Sequence, residues 1–194
     1  MGPREKPTVA PHPAPTHIPL HTQGERVMAT ELYDLTVPAF LRGFSTCAKL
    51  LTAGEVWAKE NGISEADLLG TRLIADMHPL PAQVQRMSDT AKLFLVRVAG
   101  AENVAMPDDE ASFADLHARI DRTVAFIKSV PRADVDGREE APVSLPLPTG
   151  SLDFTGRSYA TGFVLPNFYF HLTTAYALLR MRGVPIGKRD YLGG

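Results

Sequence analysis

At 194 residues, with 44% apolar and 22% charged residues, the chain is long enough for one well-buried core and short for two. Twenty Lys and Arg against 22 Asp and Glu leave a formal net charge of −2. With no basic stripe and no aromatic-plus-arginine cluster, neither a nucleic acid nor a membrane surface is expected as a partner. No apolar run approaches the roughly 20 residues that span a bilayer, and no signal peptide is legible, so a cytoplasmic protein is expected. A single cysteine, Cys47, excludes an internal disulfide and fits a reducing compartment. Its neighbours Phe44, Ala48 and Leu51 predict a buried, inert thiol.

Residues 1–27 are set apart by Pro3, Pro7, Pro11, Pro13, Pro15 and Pro19 alternating with small and polar residues. Such a stretch buries too little apolar surface to offset its ordering entropy, which predicts a disordered Pro-rich tail. His12, His17 and His21 fall within it without a helical framework to make them a metal site. Residues 28–194 are expected to form the folded domain, and Met28 could serve as the start of the chain.

Val37, Phe40, Leu41, Phe44, Ala48 and Leu51 recur at steps of three and four, which predicts a first helix over Pro38–Asn61 with Thr36 as N-cap. Ser64 caps a short helix expected to reach Ala75. The stretch Asp76-Met77-His78-Pro79-Leu80-Pro81 breaks it and opens a second long helix over Pro81–Ala99, closed by Gly100. Residues 101–111 read as an acidic loop. Ser112 and Asp115 then resemble a capping box ahead of a third helix running to Val130, with His117 on its solvated face. After a loop over Pro131–Glu140, two short alternating runs around Pro148-Thr149-Gly150 predict a β-hairpin. A fourth long helix over Ser158–Arg182, kinked at Pro166, precedes a short tail. The fold class expected is therefore all-α: an antiparallel four-helix bundle with a small hairpin before the last helix.

No phosphate-binding glycine loop, zinc-type cysteine pair, His-Glu-x-x-His or nucleophile elbow is present. The informative anomaly is the last long helix. It is apolar almost all round, yet Asn167, His171 and Thr174 form a polar row at i, i+4 and i+7. Buried polar groups need partners, so this row requires another helix, a metal or a ligand. Asp76, His78, Gln83 and Gln85 crowd the opening of the second helix, where free N–H groups favour an anion. Lys188 and Arg189 near the end could bind a carboxylate or phosphate, or simply be solvated beside Asp190.

Three stretches together resemble a known family: Tyr33 to Gly43; Asp76-Met77-His78-Pro79-Leu80 with Gln83, Asp89 and Lys92; and Pro166 to Tyr176 continuing to Gly187-Lys188-Arg189-Asp190-Tyr191-Leu192-Gly193. The chain from Leu32 to Gly194 is similar to the family called domain of unknown function nineteen ninety-three. That family is grouped with the DinB-like four-helix bundles of metal-dependent enzymes, whose relatives include thiol-dependent transferases and isomerases. The resemblance implies a bundle and a homodimer. In DinB-like members one His of the second helix and a His-x-x-x-His pair of the last helix hold the metal. The resemblance sets Asn167 and His171 against that pair, with Gln83, Gln85 or His78 near the third position. Amides are weak donors for zinc or nickel, so at most a loosely held divalent metal is implied.

Three readings stay open: an enzyme acting on a small metabolite with His171 as its acid/base group, a small-molecule-binding protein, and a helical interaction module with a structural polar core. The ligand-binding candidates are Asp76, His78, Gln83, Asn167 and Tyr176, with His171 as the catalytic candidate and His171 and Asn167 as metal candidates. Deleting residues 1–27 is expected to leave the thermal midpoint within a few degrees; calorimetry showing a large drop would mean that the tail packs on the domain.

Overall fold

The structure is a computed structural model that describes Gly2 and residues 30–193. The expected disordered tail, residues 1–27, lies outside those described residues apart from Gly2. From Leu32 the chain is mostly helical, with one two-stranded hairpin.

Helix α1 (Leu32–Glu60) begins six residues before the expected start. Thr36 is not its cap: it lies buried within the helix and its hydroxyl donates to the Leu32 carbonyl at 2.7 Å. The free N–H groups of Leu32 and Tyr33 are instead taken by the carboxylates of Glu139 and Asp136, at 3.1 and 3.0 Å. These acids are a hundred residues away in the chain, so no local pattern announces the cap. Pro38 therefore falls inside the helix and withholds one backbone bond there. Arg132 ties the same corner together, bridging Asp34 and Asp136.

Ser64 does cap α2 (Glu65–Leu69), accepting the Asp67 N–H, but this helix ends well short of Ala75. Irregular chain leads to α3 (Leu80–Ala99), which stops at Gly100 with a φ of 69°. Ser112 accepts the Asp115 N–H and starts α4 (Phe113–Ser129). The expected loop beyond it contains a single helical turn, α5 (Arg132–Val135). The hairpin forms as expected from β1 (Pro142–Leu147) and β2 (Gly150–Thr155), with Pro146 opposite Ser151.

A Thr155–Ser158 capping box opens α6 (Gly156–Tyr159), which passes through a wider π-helical turn at Ala160–Val164 into α7 (Leu165–Met181). The distortion expected at Pro166 thus lies just ahead of it. The prolyl ring crowds the carbonyl four residues back and has no N–H to offer it, and the wider turn absorbs both effects. The expected terminal tail is a short helix, α8 (Lys188–Leu192), resting on α1.

Helices α1 and α3 each pack against both α4 and α7, so the four long helices enclose one core. Their directions depart from the antiparallel expectation. Gly43 faces Phe168 while Gly54 faces Leu179, so α1 and α7 run the same way. Helix α3 runs opposite to α7: Gln83 meets His171, Thr90 meets Asn167 and Arg97 meets Tyr159. Helix α4 starts at the far end of α1, with Phe113 beside Gly54 and His117 beside Thr52, so it runs parallel to α3 and the connection between them crosses the molecule. Helix α4 is about 25 Å long at 1.5 Å per residue. Residues 100–112 cover that span easily at about 3.3 Å per extended residue.

Phe168 sits at the centre of the core, fully buried, with ring centroids 5.2 Å from Phe40 and 5.3 Å from Phe44. It is seated directly on Gly43, where any side chain would collide with the ring. Helix α7 is not buried all round, however: Phe170 and Met181 are 54% and 52% exposed. Replacing Gly43 by Ala should destabilise the fold by about 1–3 kcal/mol despite the better helix propensity of Ala, because the new methyl must displace Phe168. Urea unfolding checks this; an unchanged or higher midpoint would show that the ring moves freely.

Candidate functional site

The site lies where α3 and α7 face each other. The Gln83 side chain, 2% exposed, donates its Nε2 to the His78 carbonyl at 2.9 Å. Its Oε1 is thereby turned toward His171 Nδ1, 2.8 Å away. An amide oxygen can only accept, so Nδ1 carries the proton and Nε2 keeps its lone pair. Burial first, then the positive charge of Arg86 and the nearness of His78, depress the His171 pKa to about 4. The imidazole is neutral at physiological pH. One turn earlier, Asn167 donates to Thr90 Oγ1 at 2.7 Å, and that hydroxyl donates to the Arg86 carbonyl at 2.6 Å. Thr174, the third member of the row, only bonds back to the Phe170 carbonyl of its own helix.

These groups border a cleft of about 360 Å³. Arg86, Asp89, Thr90, Leu93 and Arg97 form its α3 wall; Tyr159, Phe163, Asn167 and His171 form the opposite one, and Leu145 of the hairpin closes a side. Arg86 reaches His78 Nε2 at 2.7 Å, and Arg97 donates to the Tyr159 hydroxyl at 2.8 Å. The Tyr159 pKa is raised by burial against the opposing effect of Arg97. A larger, more open groove of about 700 Å³ runs over the outer face of α1 beside Trp57 and His117. His117 is half-buried there rather than solvated, 3.4 Å from Thr52.

The sequence-predicted residues divide between different places. Asn167, His171, Gln83 and His78 come together at the α3–α7 contact. Asp76 does not join them: it is exposed on the irregular chain between α2 and α3. Gln85 turns the other way and donates to Glu110 at 2.8 Å. Tyr176 lies against Tyr191 of α8 on another face of α7, with ring centroids 5.8 Å apart. Cys47 is fully buried and its thiol pKa is pushed up to about 12, an inert group as expected.

Sequence reasoning missed Arg86, Thr90, Arg97 and Tyr159. The first three share a face with Leu93 at intervals of four, three and four, a row legible in principle but overshadowed by the core stripe beside it. It also missed Arg119. This side chain is fully buried and binds Glu110 at 3.0 Å, Asp108 at 2.9 Å, Asp89 at 3.3 Å and the Pro107 carbonyl at 3.1 Å. Burial tends to raise the Glu110 pKa, but bonds from Gln85 and Arg119 bring it below the usual value. The acidic loop is thus pinned to α3 and α4 by one arginine.

A divalent metal fits this cleft poorly. Among the described residues His171 is the one imidazole in its lining, the Asn167 amide offers only a weak oxygen donor, and Arg86 brings positive charge to the same place. Elsewhere, Glu31, Asp136 and Glu139 each bring a carboxylate oxygen within 4.8 Å of the others. Such oxygen donors could hold a metal weakly. Two of these acids already cap α1, which accounts for their convergence without one.

Residues 32–192 match the family model described as domain of unknown function (DUF1993). The fold is that of a crystal structure of a DinB family member protein from Shewanella denitrificans, with a TM-score of 0.77 and 34% identity. That match covers 84% of this chain and 92% of the other. The search of curated proteins found no match. The chain belongs to the DUF1993 family, within the DinB-like helical proteins.

Two predictions arise from the site. Because the folded pKa of His171 lies below its unfolded value, only the unfolded chain takes up this proton as pH falls from about 6.5 toward 4. His171 therefore contributes stability above that window and loses it on acidification. The stability gap between the native protein and His171→Gln should shrink by about 2 kcal/mol between pH 7 and 4.5. A constant gap in urea titrations would contradict the depressed pKa. Elemental analysis after purification without chelator should find well under one equivalent of zinc or nickel, whereas a full, tightly held equivalent would overturn the assessment of the cleft.

Proposed function

We propose that this protein binds a small polar molecule in the cleft between α3 and α7, with His171 as its central recognition group. The observation carrying this reading is the Gln83 bridge. A buried amide is spent on holding a buried imidazole in one tautomer, leaving its Nε2 lone pair at a cleft wall. A purely structural polar contact between helices needs no cavity beside it. Here the imidazole borders an open volume along with Asn167, Thr90, two guanidinium groups and a phenol, a donor-rich lining of the kind that orients a ligand.

At neutral pH His171 presents an acceptor, so the ligand offers it a hydroxyl or N–H. A group with a pKa near 4 is poorly matched to general acid catalysis at pH 7, and this favours recognition over proton donation. Asn167, held by Thr90, supplies the neighbouring contact and sets the orientation of the bound molecule. This reading requires no metal.

A metabolite library screened by thermal shift, with calorimetry on the hits, tests the proposal. His171→Ala should abolish the response to a cleft ligand while the protein still unfolds cooperatively. Asn167→Ala should weaken binding by roughly tenfold, the loss of one oriented hydrogen bond. Hits whose affinity is indifferent to both substitutions would refute the assignment.

A further inference from the structure

The cleft's cations suggest which chemical class it takes. Arg86 and Arg97 both line it, one at each end of the α3 wall. Eleven residues apart on an α-helix, they share a face and are separated along the axis by about 16 Å. Neither meets a carboxylate among the described residues: the partner of Arg86 is the His78 ring, and that of Arg97 is the Tyr159 hydroxyl. Each contact occupies one of five guanidinium N–H donors and neutralises no charge. The one acid in the cleft, Asp89, is already matched by Lys92 at 3.2 Å and Arg119 at 3.3 Å. Between the two cations the lining is mixed, with Thr90 and Asn167 beside the apolar Leu93, Phe163 and Leu145.

We infer that the cleft binds an elongated dianion, with one acidic group held by Arg86 beside a hydroxyl or N–H that donates to His171, and a second acidic group held by Arg97 at the Tyr159 end. This rests on the cleft being a ligand site, as proposed above. Arginine suits the task because its planar fork pairs with two oxygens of a carboxylate or phosphate, and both acids offer that geometry. A neutral ligand would forgo a charge-assisted contact at each guanidinium. A ligand with one acid would satisfy only one end.

Isothermal calorimetry on the full chain with a graded set of probes tests the inference. The probes are the α,ω-dicarboxylates succinate, adipate, suberate and sebacate, the monoacid octanoate, the neutral diamide of suberate, and hexanediol bisphosphate. Affinity should rise to an optimum among the longer dicarboxylates and fall with added salt, and octanoate should bind more weakly than suberate. Arg86→Gln and Arg97→Gln should each weaken the best dianion by roughly tenfold or more. The bisphosphate arm identifies the anionic group: tighter binding there assigns phosphate, and tighter binding of the diacids assigns carboxylate.

Equal affinity for suberate and its diamide, or dianion binding indifferent to both arginine substitutions, would overturn the inference. If the diamide binds in a His171-dependent manner, the dianion fails while the cleft stands as a ligand site. If no probe binds, the dianion inference fails, and the outcome of the metabolite screen decides the cleft reading separately. Should either variant fail to fold, the contrast between diacid, monoacid and diamide on the native protein still decides.

Discussion

The seating of Phe168 on Gly43 sets the geometry of the whole site. With no Cβ on Gly43, α7 approaches α1 closely enough for the ring to wedge between Phe40 and Phe44. Full burial of such a ring is worth about 1.5–3 kcal/mol. Its larger effect is geometric, because a fixed ring fixes the rotation of α7 about its own axis. Asn167 and His171, one residue before and three after Phe168, are thereby turned toward α3, where Thr90 and Gln83 receive them. Any rotation that released Phe168 would leave those polar groups unpaired, so apolar packing and polar pairing hold the same arrangement.

The cleft opens on the side of α7 away from that packing, against α3. The chain before α7 is taken up by the hairpin and the π-helical turn, which bring Leu145, Tyr159 and Phe163 to the same side as His171. A wider turn at Ala160–Val164 is a local cost of carrying Pro166 into a long helical stretch, and functional sites commonly lie beside such turns. On the other side of α3, Arg119 gathers the acidic loop so that Asp89 is compensated before it reaches the cleft. The positive character of the cleft therefore depends on an ion network, centred on buried Arg119, that meets the cleft at Asp89. Removing one partner of such a network typically costs 3–5 kcal/mol, so these residues serve stability first.

Membership of a DinB-like family brings with it the expectation of a metal, and the residues here answer it in particular ways. His171 occupies the position the resemblance assigned to one of a pair of imidazoles, and Asn167 the other. The amide is drawn into a hydrogen bond with Thr90, and a guanidinium lies close by. The same scaffold that can gather imidazoles around a cation is here arranged around neutral donors and positive charge.

Much of the architecture was legible from residue order alone. The three- and four-residue apolar spacing located all four long helices, Ser64, Ser112 and Gly100 marked ends correctly, and the alternation around Pro148-Thr149-Gly150 marked the hairpin. These features rest on interactions within a few residues of each other, which is the range that sequence patterns encode. The polar row on the last helix was legible too, because its four-residue step does not depend on what faces it. What the pattern could not hold was anything completed by a distant partner. The start of α1 is set by Glu139 and Asp136, the parallel pairing of α1 with α7 by Gly43 under Phe168 and Gly54 under Leu179, and the tautomer and charge of His171 by Gln83, burial and Arg86. Likewise motif and proximity in the chain group Tyr176, Gln85 and Asp76 with the site, whereas helix rotation turns Tyr176 and Gln85 away and Asp76 stays on the irregular chain ahead of α3. Periodicity tells that a face exists; only the packed structure decides which face meets which, because that choice belongs to side chains brought together across the whole length of the chain.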